Sequence, residues 1–268
     1  MSLEFHQIDA FTDQPFAGNP AIVYRLDRWL DEALMQRIAA EHNLAETAFV
    51  VKEGSAWHIR WFTPVSEVPL CGHATLAAAK VLFDIYREPA EVLDFNCLSG
   101  ALQVTRQGER LQLDFPVRRV ELVAQPLHEQ AERALERQVE QVLALRNGDG
   151  SVQELMVVLG SEAELRELKP NLPALATLPG LGVLVTAGGQ KHDFVSRYFA
   201  PSIGINEDPV TGSTHCMLVP YWAERLGRTT LSAFQCSARG GELLCRLEGE
   251  RVKIAGHARH IASGQLML

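Results

Sequence analysis

The chain has 268 residues, of which 47% are hydrophobic, and a formal net charge of -8. An acidic chain with no Lys/Arg run argues against nucleic acid as a partner, because phosphates need a basic footprint. The lack of any ~20-residue apolar run argues against a membrane-spanning helix. The five cysteines are odd in number, widely spaced and free of CxxC pairs, which excludes an obvious disulfide framework or zinc ribbon.

Residues 1–11 lack the basic, long-apolar, small-residue order of a signal peptide. With reduced thiols, this gives the expectation of a cytoplasmic protein. In chain order, strand-like runs are expected at residues 4–11, 21–25, 46–51, 57–62 and 111–115. Further runs follow at 154–159, 182–187, 194–199, 242–247 and 251–256. Apolar residues at helical spacing (Leu30, Leu34, Ile38) predict a surface helix over 30–43, and the Glu- and Arg-rich stretch 127–145 reads the same way. Two further helices are expected after Gly72 and after Gly212, each apolar on most sides and therefore enclosed by other elements. The strands do not alternate regularly with helices. The expectation is an α+β protein of mainly antiparallel sheets curling around a helix in each half.

An internal repeat supports the two halves. Arg60-Trp61-Phe62-Thr63-Pro64 returns as Arg197-Tyr198-Phe199-Ala200-Pro201, 137 residues later. Cys71-Gly72-His73 returns as Thr211-Gly212-Ser213 at an offset of 140, so three residues are inserted between the two words. The expected half-domains are 1–116 and 117–268, with scope for the last few C-terminal residues to pack back on the first.

A helix start exposes free N–H groups and a partial positive charge, and glycine there permits close approach. Gly72 with His73, and Gly212 with Ser213, are thus candidates for holding a carboxylate; Ser213 serves equally well as a helix cap. Glu46 lies between a helix end and an apolar strand. Alone it reads first as a solvated loop carboxylate; at the edge of a buried segment it would suit a general base near neutral pH. His73 and Asp208 stand beside the two glycines, where they could orient substrate or trade a proton. A two-thiol racemase would need a second cysteine where Thr211 stands, so Cys71 reads as a small packing residue. Cys71, His73, His215 and Cys216 match no zinc spacing and HExxH is absent, so no metal is expected. GxGxxG, the P-loop and GxSxG are missing as well.

These words resemble the phenazine-biosynthesis (PhzF-like) isomerase family, which is similar in fold to diaminopimelate epimerase. The resemblance rests on Ile8-Asp9-Ala10-Phe11-Thr12, Phe16-Ala17-Gly18-Asn19-Pro20-Ala21, Leu44-Ala45-Glu46-Thr47-Ala48-Phe49, residues 60–64, residues 67–76 and Glu207-Asp208-Pro209-Val210-Thr211-Gly212-Ser213. It implies two similar half-domains, each a barrel-like, mainly antiparallel sheet around a central helix. It also implies a homodimer, no cofactor, and a site between the halves. Glu46 would be the proton-transferring acid/base, with Gly72, His73, Asp208, Gly212 and Ser213 holding a small carboxylate-bearing substrate. Two alternatives stay open: an amino-acid epimerase using Cys71, and a non-catalytic binding protein of the same fold.

Overall fold

The computed structural model describes residues 2–268 and divides into two compact units. One comprises the chain up to Phe115 together with Lys253–Leu268, and the other Pro116–Val252. The return of Lys253–Leu268 to the first unit is longer than a few residues and has a plain cause. The last strand pairs antiparallel with the first over its whole length, Ser2 opposite Met267 and Ala10 opposite Ala258. Lys253 also forms an ion pair with Asp114 at 2.6 Å.

The first unit runs β1 (Ser2–Ala10), β2 (Asn19–Leu26), α1 (Glu32–His42), β3 (Glu46–Glu53), β4 (Ala56–Phe62) and β5 (Glu67–Val68). It continues with α2 (Gly72–Lys80), β6 (Val92–Cys97), β7 (Gly100–Gln107) and β8 (Arg110–Pro116). The second holds β9 (Glu121–Leu122), α3 (Gln125–Leu135), β10 (Gln141–Arg146), β11 (Val152–Val158), α4 (Glu162–Glu167) and α5 (Leu172–Leu175). It goes on through β12 (Val183–Gly188), β13 (Phe194–Ala200), β14 (Ile205–Asp208), α6 (His215–Leu226), β15 (Thr230–Gln235) and β16 (Gly241–Glu248). β17 (Arg251–Gly256) leads back to the first unit, where β18 (Ala258–Met267) lies.

The repeat extends to strand register. Thr47 opposes Phe62 in the first unit as Val183 opposes Phe199 in the second. Trp61 opposes Val68 as Tyr198 opposes Asp208. The three inserted residues fall where a 3-10 turn, Pro201–Ile203, precedes Gly204 in the left-handed region. Even the charge pairs repeat: Arg60 Nε lies 2.7 Å from Glu67 Oε1, and Arg197 Nε 2.7 Å from Glu207 Oε1. Antiparallel pairing dominates, but β2/β3, β4/β6, β11/β12 and β13/β15 are parallel. A parallel neighbour needs a crossover, and α1 and α2, then α4 with α5 and α6, supply it in the two halves.

Asp31 caps α1, its carboxylate accepting from the N–H groups of Ala33 and Leu34, and Asn43 ends the helix at φ 50. Every residue of α2 from Gly72 to Ala79 is buried; its alanines let the surrounding strands approach on all sides. The helix expected to run on from Gly72 changes at Lys80 into a π turn over Val81–Ile85. In α6 the internal Pro220 cannot donate to the carbonyl of Cys216. That carbonyl instead accepts the N–H of Arg118 at 3.0 Å. Trp222 anchors the same helix by donating to Thr186 at 3.0 Å.

The expected helix over 127–145 is a correction. α3 ends at Leu135, Glu136 adopts φ 53, and Gln141–Arg146 is a strand between β9 and β11. The run Val142-Leu143-Ala144-Leu145 is buried on both faces, and a short apolar run of that kind has no period that separates helix from strand. Among the described residues, no helix is long and apolar enough to cross a membrane.

Candidate functional site

In the first unit, Glu46 opens β3 directly after the turn that leaves α1, and its side chain is 14% exposed. His73 sits in the first turn of the buried helix α2, its side chain 6% exposed. The two meet, with His73 Nε2 3.1 Å from Glu46 Oε2. The contact is close but poorly aligned as a hydrogen bond, and neither atom has another partner among the described residues. On the other side of the ring, Asn19 Nδ2 lies 3.3 Å from His73 Nδ1 and Cys71 Sγ 3.5 Å from it. The neutral ring that accepts the Asn19 amide at Nδ1 carries its proton on Nε2, and the imidazolium carries one on both nitrogens, so in either state an Nε2–H faces Glu46.

Local sequence explains these placements. Gly18 adopts φ +66, and a Cβ there would stand 2.2 Å from the carbonyl oxygen of Ala10. Only glycine turns the chain so tightly, and the turn delivers Asn19, fully buried, to the His73 ring. Burial works against a charged imidazole at His73. The Glu46 carboxylate 3.1 Å away works the other way and holds the His73 pKa above its ordinary 6.5. Burial pushes the Cys71 thiol up, and Glu46 adds to the rise. Cys71 is therefore more than packing, since its sulfur contacts the ring, but it is kept protonated. The Ala74 N–H meets that sulfur, and no side chain otherwise caps α2. Glu46, Cys71 and His73 each present one ligand atom within 4.8 Å of the others. The ring, however, addresses Cys71 through Nδ1 and Glu46 through Nε2, so one ion facing a single ring nitrogen would not reproduce these contacts.

In the second unit, the slots of Cys71, Gly72 and His73 are taken by Thr211, Gly212 and Ser213. Gly212–Thr214 forms a 3-10 turn and α6 proper begins at His215. Gly212 is buried, while Asp208 and Ser213 are partly exposed. The Thr211 hydroxyl donates to Asp208 Oδ2. The Gln235 side chain braces the loop, donating to the Asp208 carbonyl at 2.8 Å and accepting the Thr211 N–H at 2.8 Å. His215 donates from Nδ1 to the Thr211 carbonyl at 3.0 Å, and burial pushes its pKa down to about 4, so the ring is neutral. Glu46 has no carboxylate in the equivalent slot, where Gly182 stands.

A family model described as phenazine biosynthesis-like protein matches residues 8–264. The chain belongs to this family. An uncharacterised isomerase of Pseudomonas aeruginosa is 59% identical over 270 residues, covering both chains completely. The crystal structure of a PhzF-family protein from Enterococcus faecalis superposes with a TM-score of 0.92 at 46% identity, covering both chains completely. A hydroxyproline epimerase from Agrobacterium vitis shares the fold at a TM-score of 0.63 and 8% identity, with 99% of this chain and 92% of that one covered. Membership of the PhzF-like family supports an isomerase- or epimerase-type function. Asn19 is the residue that sequence reasoning underweighted; its signal was the glycine preceding it in Phe16-Ala17-Gly18-Asn19-Pro20-Ala21.

Proposed function

We propose that the protein is a cofactor-independent isomerase that moves a proton between two carbons of a small carboxylate-bearing molecule, with Glu46 as the acid/base. The supporting observation is the pair of buried polar atoms, Glu46 Oε2 and His73 Nε2, 3.1 Å apart and without an aligned partner. Buried polar atoms in that state are costly unless a ligand satisfies them. In this reading Glu46 takes a proton from a carbon made acidic by neighbouring unsaturation. The electron pair delocalises into the π system, and Glu46 returns the proton to a second carbon. The Nε2–H of His73 stabilises the carboxylate before transfer and orients the acid after it. The N–H groups of Gly72 and His73 at the start of α2 suit a substrate carboxylate. Asp208, Gly212 and Ser213 hold the remaining polar groups of the substrate. The reading includes a homodimer in the cytoplasm.

A second reading, an epimerase using Cys71, draws on the 3.5 Å contact between its sulfur and His73 Nδ1. The raised thiol and the hydroxyl of Thr211 in the matching slot weigh against it. The test is proton NMR in heavy water with a panel of small unsaturated amino and hydroxy acids. Exchange at carbon in the wild type, lost in Glu46→Gln and kept in Cys71→Ala, supports the proposal. Full exchange in Glu46→Gln removes it.

A further inference from the structure

The second unit contains a buried carboxyl that the proposed chemistry does not use. Glu154, on β11, is 8% exposed, and the Tyr198 hydroxyl donates to its two oxygens at 3.0 and 3.2 Å. Its place in the repeat is informative. Leu155 opposes Val183 as Ile22 opposes Thr47. Glu154 therefore occupies the slot of Ala21, Gly182 that of Glu46, and Tyr198 that of Trp61. A Cβ on Gly182 would lie 2.4 Å from the Tyr198 hydroxyl oxygen. The missing side chain in the Glu46 slot is what makes room for the phenol, and the phenol reaches a carboxylate supplied by the neighbouring strand. The second half thus keeps a carboxyl close to this place, delivered from β11 instead of β12.

Tyr198 has a second carboxylate neighbour. It pairs in register with Asp208 on β14, whose charge acts on the phenol. We propose that Glu154 is a positioning residue for Asp208, acting through Tyr198. The ionised carboxylate fixes the phenol O–H on itself and presents the oxygen's lone pairs elsewhere. The protonated carboxyl can donate to that oxygen and free the phenol hydrogen for another acceptor. Among the described residues, the remaining charge beside Glu154 is Arg118, whose guanidinium binds Gln153; the residue opposite on β10 is Leu145, and the Gly182 N–H donates to the carboxylate. Burial pushes the Glu154 carboxyl up from 4.5 to about 7, with Tyr198, Arg118 and Gly182 opposing the rise. The two states therefore interchange near neutral pH. The functional weight of this rests on the reading of Asp208 as a substrate-holding group.

The test needs no substrate, so it fails or succeeds independently of the Glu46 chemistry. Protein labelled with 13C at the Asp and Glu side-chain carboxyls is titrated from pH 4 to 9, with signals assigned through Glu154→Gln and Asp208→Asn. The expected result is an inflection in the Asp208 signal coincident with the Glu154 midpoint near pH 7. It is lost in Glu154→Gln and at least halved in Tyr198→Phe, while signals of the first unit stay in place. A wild-type Asp208 signal without that inflection overturns the proposal, and so does an inflection that persists in Glu154→Gln. Full persistence in Tyr198→Phe overturns the route through the phenol.

Discussion

Replacing Glu154 by glutamine should change how the protein's stability depends on pH, and the structure sets the size. The folded carboxyl titrates at about 7 against an ordinary 4.5. Its folded pKa is raised, so its contribution is fully present below pH 4.5, declines as pH rises through the window, and is gone above 7. Each pH unit of the rise is about 1.4 kcal/mol, giving about 3 kcal/mol in all. About 2 kcal/mol of this falls between pH 5 and 8, because some is already lost at pH 5. Glutamine keeps the shape and an acceptor for Tyr198 but carries no charge. It should therefore cost up to about 1 kcal/mol at pH 5, where its amide hydrogens need partners. At pH 8 it should stabilise the protein by about 1 kcal/mol relative to wild type. Urea unfolding of both proteins at the two pH values reads this directly, since subtraction cancels all other titrating groups. A difference between the proteins that is the same at pH 5 and pH 8 would refute the reasoning.

Further predictions follow from single contacts. Gly18→Ala places a Cβ 2.2 Å from a backbone oxygen at φ +66; it should cost about 3 kcal/mol or more and lower the thermal midpoint, and an unchanged midpoint would count against the role given to this turn. Arg197 is 12% exposed and also donates to the carbonyls of Leu165 and Leu168, whereas Arg60 in the matching slot is 25% exposed. Arg197→Ala should therefore destabilise by about 3 kcal/mol and Arg60→Ala by less; equal losses in denaturant titrations would show that burial does not decide. Chelation with EDTA should leave proton exchange unchanged. A loss restored by zinc would instead assign metal binding to Glu46, Cys71 and His73.

Much of the fold was legible because it is written twice. The aromatic words at 60–64 and 197–201 are strands whose register repeats, and their arginines carry the same ion pair. The glycine words at 72 and 212 do open the two buried helices, although the second enters through a 3-10 turn. Residues 142–145 misled because a strand buried on both faces has no two-residue period. The parallel pairs were hidden for a related reason: register between β2 and β3 depends on how α1 crosses over, which strand composition does not encode. At the site, the approach of His73 to Glu46 could be suspected from the motif words. Its bracing by Asn19 had a single sequence signal, Gly18, whose left-handed turn aims the asparagine that opens β2. Glu154 was invisible for a similar reason: it opens an apolar run, Glu154-Leu155-Met156-Val157-Val158-Leu159, where a polar first residue is ordinary.

The central claim is that one carboxylate both removes and returns the proton. A substrate identified by the exchange screen, deuterated at the carbon that loses its proton, should be turned over in light water and the product examined by mass spectrometry and deuterium NMR. Transfer by Glu46 predicts that part of the deuterium reappears at the second carbon of the same molecule, and that Glu46→Gln abolishes turnover while still binding substrate. Product wholly free of deuterium together with undiminished turnover in Glu46→Gln would contradict the account.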